Sequence, residues 1–320
     1  MKKKVLVTGG TGFLGAALVK RLVRDGYRVR VLDNNSRGNS RRLRDVMDRI
    51  EFVKADIRDA AAVARAVRGV DSVCHLAFVN GTEFFYSKPE LVLEVGVKGM
   101  LNVIDACLRH RVHDLVVASS SEVYQTPPRI PTDETAPLVV PDPLNPRYSY
   151  GAGKLISEVL ALNYGRKMIR RVVVFRPHNV YGPDMGNEHV LPQFVMRFKQ
   201  LAARHRGVVP MKIQGSGLET RSFVYIDDFT DGLMRVFEKG RHRNIYHIGS
   251  AEEVSIRDAA RLVARYFGRR IRIIPGRRLA GSTPRRCPDI TKLKALGFKP
   301  EIMLKDGLPL LASWYDNSHV

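Results

Sequence analysis

The sequence predicts an α/β protein built on a doubly wound parallel sheet, with a smaller C-terminal lobe. Three observations support this fold class. Short β-branched runs alternate with amphipathic stretches through the first half of the chain, a glycine-rich turn follows the first run, and the alternation loosens in the second half. Repeated strand, helix and strand units require parallel strands joined by right-handed crossovers, which produces a doubly wound sheet.

The first half of the chain supplies the strands of this sheet. Short apolar runs bounded by polar or glycine-containing turns are predicted strands, and they lie at residues 5–8, 28–32, 51–54, 72–76, 115–119 and 172–175. Between the strands, apolar residues recur at helical spacing. One predicted helical face carries Leu14, Ala17, Leu18 and Leu22, and another carries Val97, Leu101, Ile104 and Leu108.

The second half has fewer strands and more loop, which predicts a smaller lobe that caps the sheet. We expect a glycine-rich loop at 214–217, and the remaining predicted elements are a helix at 191–204, short apolar runs at 223–226 and 244–248, a helix at 256–267 and a closing helix at 304–315.

Composition bounds the class of protein. The chain has 320 residues, of which 44% are hydrophobic and 27% are charged. It is long enough to bury a large core, and it is not a disordered, collagen-like or disulfide-stapled chain. Lys and Arg number 53 against 32 Asp and Glu, so the formal net charge is +21. Taken alone, this charge indicates a polyanion such as nucleic acid, an anionic membrane surface, or an arginine-rich solvated surface.

Targeting and redox signals are weak in this sequence. No stretch approaches the roughly 20 uncharged apolar residues that cross a bilayer, so we expect no membrane insertion. The lysines at 2–4 precede only three apolar residues, too few for an export signal. Cys74, Cys107 and Cys287 are widely separated and form no CxxC pair, which predicts reduced thiols and no metal site. These features predict a cytoplasmic protein.

The glycine-rich segment 9–15, GGTGFLG, follows the first strand and opens the first helix. Gly10, Gly12 and Gly15 match the dinucleotide fingerprint of Rossmann-like sheets. There, missing side chains allow a tight turn, close approach of the backbone to a pyrophosphate, and close helix packing. The helix N-terminus then faces the phosphates with free N–H groups and the positive end of its dipole.

An acidic residue in the expected place supports the dinucleotide site. Asp33 ends the second strand about 20 residues further on, where a carboxylate accepts hydrogen bonds from ribose hydroxyls. Because this carboxylate repels a 2′-phosphate, we predict NAD rather than NADP, although Arg37 and Arg41 nearby keep NADP open. Asp56 and Ile57 follow the third strand and are candidate adenine contacts, with an ordinary loop acid as the alternative.

A phenol and an ammonium lie one helical turn apart in the predicted helix that begins near Tyr150. Lys154 shares a face with Tyr150. Together with a positive nicotinamide ring, it would lower the pKa of Tyr150, so that tyrosinate accepts a proton from an alcohol while hydride leaves its carbon. The serines at 119–121 follow the fifth strand, at the edge of the sheet where ligands bind. A serine hydroxyl there would bond the same alcohol oxygen.

With these motifs the sequence resembles the extended short-chain dehydrogenase/reductase family, specifically its NAD-dependent nucleotide-sugar epimerases and dehydratases. The resemblance rests on Tyr150 with Lys154 and on segments 8–15, 75–77, 119–124, 176–183, 221–228 and 286–289. It implies NAD as cofactor, a nucleotide-diphosphate sugar as substrate, and a homodimer that pairs helices 90–109 and 149–168. It also implies an NAD-binding domain at 1–177, to which 220–250 return, and a substrate-binding lobe at 178–219 and 251–320.

The resemblance assigns individual residues. The catalytic residues would be Ser120, Tyr150 and Lys154. The residues that hold the diphosphate would be Asn179, Arg221 and Arg286, since a diphosphate needs fixed cationic forks. The cofactor residues would be Gly9, Gly12, Phe13, Leu14, Gly15, Asp33, Asn34, Asp56, Ile57, Leu76, Ala77, Tyr150, Lys154 and Pro177. The loop 80–86 would reach the sugar, and His189 and Val190 the base.

Three departures from the family pattern bear on the reaction. Gly96 and Met100 stand where relatives commonly carry Asn and Thr, and Gln125 replaces a usual glycine. Glu122 is the informative position, because dehydratases and decarboxylases of the family often carry Glu there. It would remove the acidified C5 proton of a 4-keto sugar, or it would have a purely structural role. Dehydratases with an Asp-Glu pair carry Asp where this chain has Ser121, though some use Ser-Glu. Against dehydration, residues 151–158 are similar to those of epimerases.

The sequence therefore predicts transient oxidation of the sugar at C4, with 4-epimerisation as the leading reaction. A 4,6-dehydratase or a UDP-glucuronate decarboxylase that uses Glu122 is the nearest alternative. An alternative of another class is an NAD-sensing Rossmann protein that binds nucleic acid. The arginine pairs of this sequence are scattered along the chain without interleaved aromatic residues, so we expect no nucleic-acid partner.

Overall fold

The computed structural model describes residues 2–167, 169–277 and 283–317. Its strands are β1 (Lys4–Thr8), β2 (Arg28–Asp33), β3 (Ile50–Lys54), β4 (Ser72–His75), β5 (Asp114–Ala118), β6 (Arg171–Pro177), β7 (Val180–Tyr181), β8 (Val209–Lys212), β9 (Thr220–Ser222), β10 (Val224–Tyr225), β11 (Asn244–Ile248), β12 (Glu253–Ser255), β13 (Ile271–Ile274) and β14 (Arg285–Arg286).

The helices alternate with the strands. They are α1 (Phe13–Arg24), α2 (Ala60–Val67), α3 (Thr82–Ser87), α4 (Pro89–Leu93), α5 (Gly99–Arg109), α6 (Ser149–Tyr164), α7 (Val190–Arg204), α8 (Ile226–Lys239), α9 (Ile256–Tyr266), α10 (Thr291–Lys294) and α11 (Leu304–Asn317). Short 3₁₀ segments lie at Ser40–Arg49, Ser121–Tyr124 and Pro146–Tyr148. Among the described residues, no helix is both long and apolar enough to cross a bilayer.

The central sheet has the strand order β3-β2-β1-β4-β5-β6-β11, counted over the described residues, and every pairing in it is parallel. The chain runs outward from β1 through β2 to β3 and then returns to the other side of β1 with β4. The predicted doubly wound α/β fold is therefore confirmed. The order reverses between β1 and β4, and ligands of such sheets bind at this point, beyond the carboxyl ends of the strands.

Alternate side chains of the central strands enter opposite core layers. In β1, Val5 and Val7 pack into one apolar cluster and Leu6 into the other. In β6, Val173 and Phe175 likewise lie opposite Val172 and Val174. This two-sided burial explains why these strands read as continuous apolar runs, since helices cover both faces of a parallel sheet.

The remaining strands form smaller sheets beside the central one. β9 pairs with β12 and β14, β8 with β13, and β7 with β10. β11 joins the central sheet next to β6, so part of the segment 220–250 does lie in that sheet. The division into an NAD-binding domain and a substrate-binding lobe stays a prediction.

Three predicted elements differ from the structure. The helix expected at 90–109 contains a π-helical segment, Glu94–Lys98, between α4 and α5. A glycine, Gly96, lies within that segment and against the ring of Phe78. The apolar run at 223–226 gives only the two-residue strand β10, because α8 already begins at Ile226. Of the helix expected at 149–168, α6 ends at Tyr164 and Met168 lies outside the described residues.

A buried ion pair joins α6 to β6. Arg176 donates to Glu158 through Nε at 2.8 Å and Nη2 at 2.6 Å, and each side chain is 2% exposed. Arg176 also donates to the Tyr124 hydroxyl, which lies 2.6 Å from Nε2 of His247. Ser119 donates to the same Glu158 carboxylate. These bonds tie together the end of β5, the helix α6, and strands β6 and β11.

We expect Arg176→Met to lower the free energy of unfolding by about 3–5 kcal/mol, because it leaves a buried carboxylate without its cation. Arg261→Met is the matched control. It breaks the exposed ion pair with Asp258, so we expect a loss below about 1 kcal/mol. Urea denaturation followed by circular dichroism measures both, and similar losses in the two variants would contradict the prediction.

Candidate active site

The glycine turn between β1 and α1 brings the backbone close to the neighbouring strand end. Gly9 has φ +73°, and a Cβ there would lie 2.6 Å from the backbone nitrogen of Ala77. A Cβ on Gly15 would lie 2.0 Å from the carbonyl oxygen of Gly9. No side chain fits at either position, so the turn presents bare backbone to the crevice between β1 and β4. Gly12 is the N-cap of α1, whose N-terminus therefore faces the crevice.

Asp33 orders this turn and ends β2. Its carboxylate accepts hydrogen bonds from the backbone N–H groups of Thr11 at 2.9 Å and Asn35 at 2.8 Å. Each carboxylate oxygen has a second lone pair, which a ribose hydroxyl can occupy. The side chain is thus held in place by the chain itself, on the edge where the fingerprint places the adenosine ribose.

A cleft lies over this edge of the sheet. Of the predicted cofactor residues, those that line it are Gly9, Gly12, Asp33, Asn34, Asp56, Ile57, Leu76 and Ala77. Ser36, Arg37, Gly38, Ala55, Phe78, Val79 and Val95 also line it, together with Leu32. The bare glycine turn, the helix N-terminus and the acidic residue at the end of β2 together fit a dinucleotide with an unmodified adenosine ribose, as in NAD.

Other predicted cofactor residues lie around the cleft rather than in its lining. Gly15 acts through its contact with the Gly9 carbonyl. Phe13 and Leu14 begin α1 and pack partly against the core. Pro177 ends β6 and pairs with Ile248.

The arginines that left NADP open are engaged by carboxylates. Arg37 forms an ion pair with Glu188, and Arg41 contacts Asp184 at 3.1 Å. The neighbouring Arg42 also binds Asp184, at 3.0 Å. Because these cations already have anionic partners, they give little support for a 2′-phosphate, which strengthens the preference for NAD. The partners lie more than 140 residues away in sequence, so no local pattern indicates them.

The carboxylate of Asp56 is engaged by two neighbouring side chains. It accepts from Arg58 at 2.9 Å and from the side-chain amide of Asn34 at 2.9 Å. Hydrogen bonds from Arg58 hold the pKa of Asp56 below its ordinary value. Contact of Asp56 with an adenine stays a prediction.

Tyr150 and Ser120 meet at the start of α6. The Tyr150 side chain is buried and its hydroxyl is hydrogen-bonded to the side chain of Ser120. Burial is the largest influence and raises the pKa of Tyr150 above its ordinary value, whereas the bond to Ser120 acts in the opposite direction. A nearby positive charge is therefore needed before this phenol can accept a proton.

Lys154 supplies that charge one turn further along α6. Its Nζ donates to the carbonyl oxygen of Ala118 at 2.7 Å, and the residue is only 4% exposed. Burial lowers the pKa of Lys154 to about 7. The structure thus brings the predicted Ser120, Tyr150 and Lys154 together at the carboxyl end of β5.

Glu122 forms an ion pair with Arg286. The distance from Nη1 to Oε1 is 2.5 Å, and Nη2 of Arg286 donates to the hydroxyl of Thr283 at 2.9 Å. Burial alone raises the pKa of Glu122, but the guanidinium groups of Arg286, Arg147 and Arg221 outweigh it and hold that pKa below its ordinary value. Glu122 is therefore an ionised carboxylate among cationic side chains.

The other predicted substrate residues lie on neighbouring segments. Asn179, with φ +38°, donates to the carbonyl oxygen of Ser222 at 2.9 Å, and Arg221 donates to the carbonyl oxygen of Thr220 at 2.7 Å. His189 caps α7 and Val190 begins that helix. Contact of these residues with a diphosphate or a base stays a prediction.

Two aromatic side chains beside Tyr150 were not anticipated. Phe85 stacks on the Tyr150 ring at a centroid distance of 5.0 Å, and Phe78 meets it edge-on at 5.2 Å. Phe85 belongs to the loop that was expected to reach the sugar. Arg147 and Thr283 were also missed as neighbours of Glu122 and Arg286. For Phe85 the available sequence signal was the run of aromatic residues at 84–86. That run has no periodicity that shows which of its side chains face the site.

Comparisons with known proteins agree with this geometry. A profile of the NAD dependent epimerase/dehydratase family matches residues 5–249. A putative UDP-glucose 4-epimerase of Methanocaldococcus jannaschii is 30% identical, and the match covers 98% of this chain and 99% of that one. UDP-glucuronic acid decarboxylase 4 of Arabidopsis thaliana is 32% identical over 97% of this chain and 69% of its own length.

Solved structures show the same similarity. A dTDP-glucose 4,6-dehydratase of Streptomyces venezuelae, solved with NAD and TYD bound, has a TM-score of 0.85 at 30% identity, covering 98% of this chain and 97% of that chain. A UDP-glucose 4-epimerase of Thermus thermophilus in complex with NAD has a TM-score of 0.85 at 27% identity, covering 98% and 99%. The chain therefore belongs to the NAD dependent epimerase/dehydratase family, within the extended short-chain dehydrogenases/reductases, and uses NAD.

Proposed function

We propose that the protein is a nucleotide-sugar 4-epimerase that works by transient oxidation of the sugar at C4. The observation that carries this proposal within the family is the ion pair between Glu122 and Arg286. It occupies the carboxylate that a dehydratase would use on the substrate. The reaction needs one base at the 4-hydroxyl, and Tyr150, Ser120 and Lys154 supply it.

Bound NAD would accept the hydride from C4, return it, and place a positively charged ring beside Tyr150. The residues of the chain handle the proton. Tyr150 accepts the proton of the 4-hydroxyl, Ser120 orients that hydroxyl, and the Lys154 ammonium lowers the pKa of Tyr150. If the hydride returns to the opposite face of the keto sugar while Tyr150 gives its proton back to the C4 oxygen, the product is the 4-epimer.

Dehydration needs two further groups, and the described residues 121 and 122 do not supply both. Loss of the C6 hydroxyl requires a base at C5 and an acid that protonates the departing oxygen. Glu122 is held ionised, so it could act only as the base, and its ion pair with Arg286 engages that carboxylate. The adjacent residue, Ser121, carries a hydroxyl rather than a carboxylic acid.

The charges around Glu122 favour a neutral sugar. The three guanidinium groups of Arg147, Arg221 and Arg286, less one Glu122 carboxylate, leave two positive charges. A diphosphate carries two negative charges, which balance them. A uronic acid adds a third negative charge close to Glu122, where like charges repel.

Decarboxylation of a uronic acid is the second candidate. One observation favours it: the Nε atom of Arg147 is buried and has no hydrogen-bond partner among the described residues. A buried donor of this kind suits an additional anion such as a sugar carboxylate. The Arabidopsis decarboxylase matched above shows that such enzymes occur among relatives of the chain.

Product analysis in D₂O separates the three reactions. We expect UDP-glucose or dTDP-glucose to give its 4-epimer without deuterium in the sugar, because the same hydride returns to C4. The measurement is ¹H NMR of each product, with UDP-glucuronate tested in parallel. A 4-keto-6-deoxy sugar with deuterium at C5, or a UDP-pentose formed from UDP-glucuronate with loss of CO₂, would contradict the proposal.

The substitution Glu122→Gln tests the structural role of this carboxylate. We expect KM for the nucleotide sugar to rise roughly tenfold while kcat changes by less than about threefold, because one charge-assisted bond to Arg286 is weakened. Ser121→Ala is the control and should leave both constants nearly unchanged. Loss of kcat by several orders of magnitude in Glu122→Gln would instead identify a base that acts on the substrate.

The substitution Tyr150→Phe tests the proposed base. We expect kcat to fall by roughly 10²–10⁴-fold, the usual contribution of a positioned general base, with the melting temperature and NAD affinity nearly unchanged. Steady-state kinetics and isothermal titration calorimetry with NAD measure these quantities. Full turnover of the variant would remove Tyr150 from the mechanism.

We also propose a homodimer and a cytoplasmic location. Apolar side chains on the outer face of α6 support the dimer, since Ile156 and Val159 are 37% and 50% exposed. Size-exclusion chromatography with light scattering tests it. The free and buried Cys74, Cys107 and Cys287 are compatible with a reducing compartment.

A further inference from the structure

Phe78 brings an aromatic ring against Lys154. It lies just beyond the carboxyl end of β4, and its residue lines the cofactor cleft. Nζ of Lys154 is 4.0 Å from the centroid of the Phe78 ring. This distance is well inside the roughly 6 Å over which the negative face of an aromatic ring attracts an ammonium group.

Two glycines from different elements leave room for this ring. A Cβ on Gly96, in the π-helical segment, would lie 2.4 Å from Cζ of Phe78. A Cβ on Gly153, in α6, would lie 3.1 Å from the same atom. A larger side chain at position 96 would overlap the ring. The aromatic ring and the missing side chain are therefore complementary features of this chain.

Lys154 has few other groups that stabilise its charge. It donates one described hydrogen bond, to Ala118, and Glu158 favours the charged form from one turn further along α6. That carboxylate also binds Arg176, so its field is partly neutralised. On the β4 side, His75 is buried, and burial lowers its pKa to about 3, so it is neutral near pH 7. The phenol of Tyr150 is neutral as well.

We propose that Phe78 is a positioning residue that holds the Lys154 ammonium over its ring face and so keeps Lys154 charged beside Tyr150. This inference rests on the proposed function, because it assumes that Lys154 and Tyr150 form the reacting pair. The ring also contacts Tyr150 edge-on, so a single side chain orients both groups.

The ring matters most near neutral pH. Burial brings the pKa of Lys154 to about 7, so a small change in the stability of the ammonium form alters its population strongly. Loss of the ring face would lower that pKa. The charged form would then be present only at lower pH and would be lost earlier as the pH rises.

The test is a direct titration of Lys154 by NMR. The full-length protein is labelled with ¹³C at the ε-carbon of lysine, and the Lys154 resonance is the one missing from Lys154→Arg. Position 78 is replaced by Leu or by 3,5-difluorophenylalanine, which keeps the ring shape but weakens its negative face. Phe85→Leu is the matched control, because Phe85 also packs against Tyr150 but is not among the described rings that Lys154 approaches, which are Phe78 and Tyr150.

We expect the titration midpoint of Lys154 to fall by about one pH unit in Phe78→Leu, which is a tenfold lower ratio of ammonium to amine at a given pH. We expect a smaller fall in the same direction in the difluorophenylalanine variant and no change in Phe85→Leu. The difluorophenylalanine variant decides the matter if leucine admits water. An unchanged or raised midpoint in that variant, or an equal fall in Phe85→Leu, would overturn the proposal.

The titration is independent of the sugar reaction. It is performed without a sugar nucleotide, both with and without added NAD. If the product assay finds no epimerase while the midpoint shifts as expected, the proposed function fails and the contact between Phe78 and Lys154 stands. If epimerisation is found while the midpoint does not move, the reverse holds. In an active enzyme, the alkaline limb of the kcat profile should also move to lower pH in the difluorophenylalanine variant.

Discussion

The buried ion pair between Arg176 and Glu158 connects the parts on which the site depends. It fixes α6, which carries Tyr150 and Lys154, to β6 in the centre of the sheet. The hydrogen bond from Ser119 to Glu158 connects the same ion pair to the end of β5, next to Ser120. Replacing a buried ion pair by apolar residues is often neutral for stability, so its value here lies in geometry. A single charged pair sets the positions of the base, its neighbouring ammonium and the serine relative to one another.

The features that could be predicted from the sequence are local or periodic. The strands are continuous apolar runs because both of their faces are buried. The glycine turn is recognisable because it follows a strand and precedes a helix, and Asp33 follows at the right interval. Tyr150 and Lys154 share a helical face because they are four positions apart. Each of these inferences needs only neighbours in the chain.

The features that could not be predicted depend on partners far away in sequence. Arg286 lies 164 residues from Glu122, and only the fold shows that they form an ion pair. The carboxylates that engage Arg37, Arg41 and Arg42 are similarly distant. In the sequence, Phe78 is one apolar residue among many. Only the fold shows that the missing side chains of Gly96 and Gly153 leave room for its ring. The net charge of +21 was a poor guide to function, since a sum over the whole chain does not indicate which arginines lie at the site.

The ion pairs that join the loop after β2 to the segment before α7 bear on how long a dinucleotide stays bound. Arg37, which lines the cleft, binds Glu188, and Arg42 binds Asp184 and the carbonyl oxygen of Thr11 in the glycine turn, so these contacts would restrain the loop on one side of a bound dinucleotide. A dehydrogenase that exchanges its cofactor after each cycle would be slowed by such a fastening. In the proposed reaction the hydride returns to the sugar and the dinucleotide ends each cycle in its starting oxidation state. Slow release then has no effect on turnover, and the protein can keep one dinucleotide through many cycles.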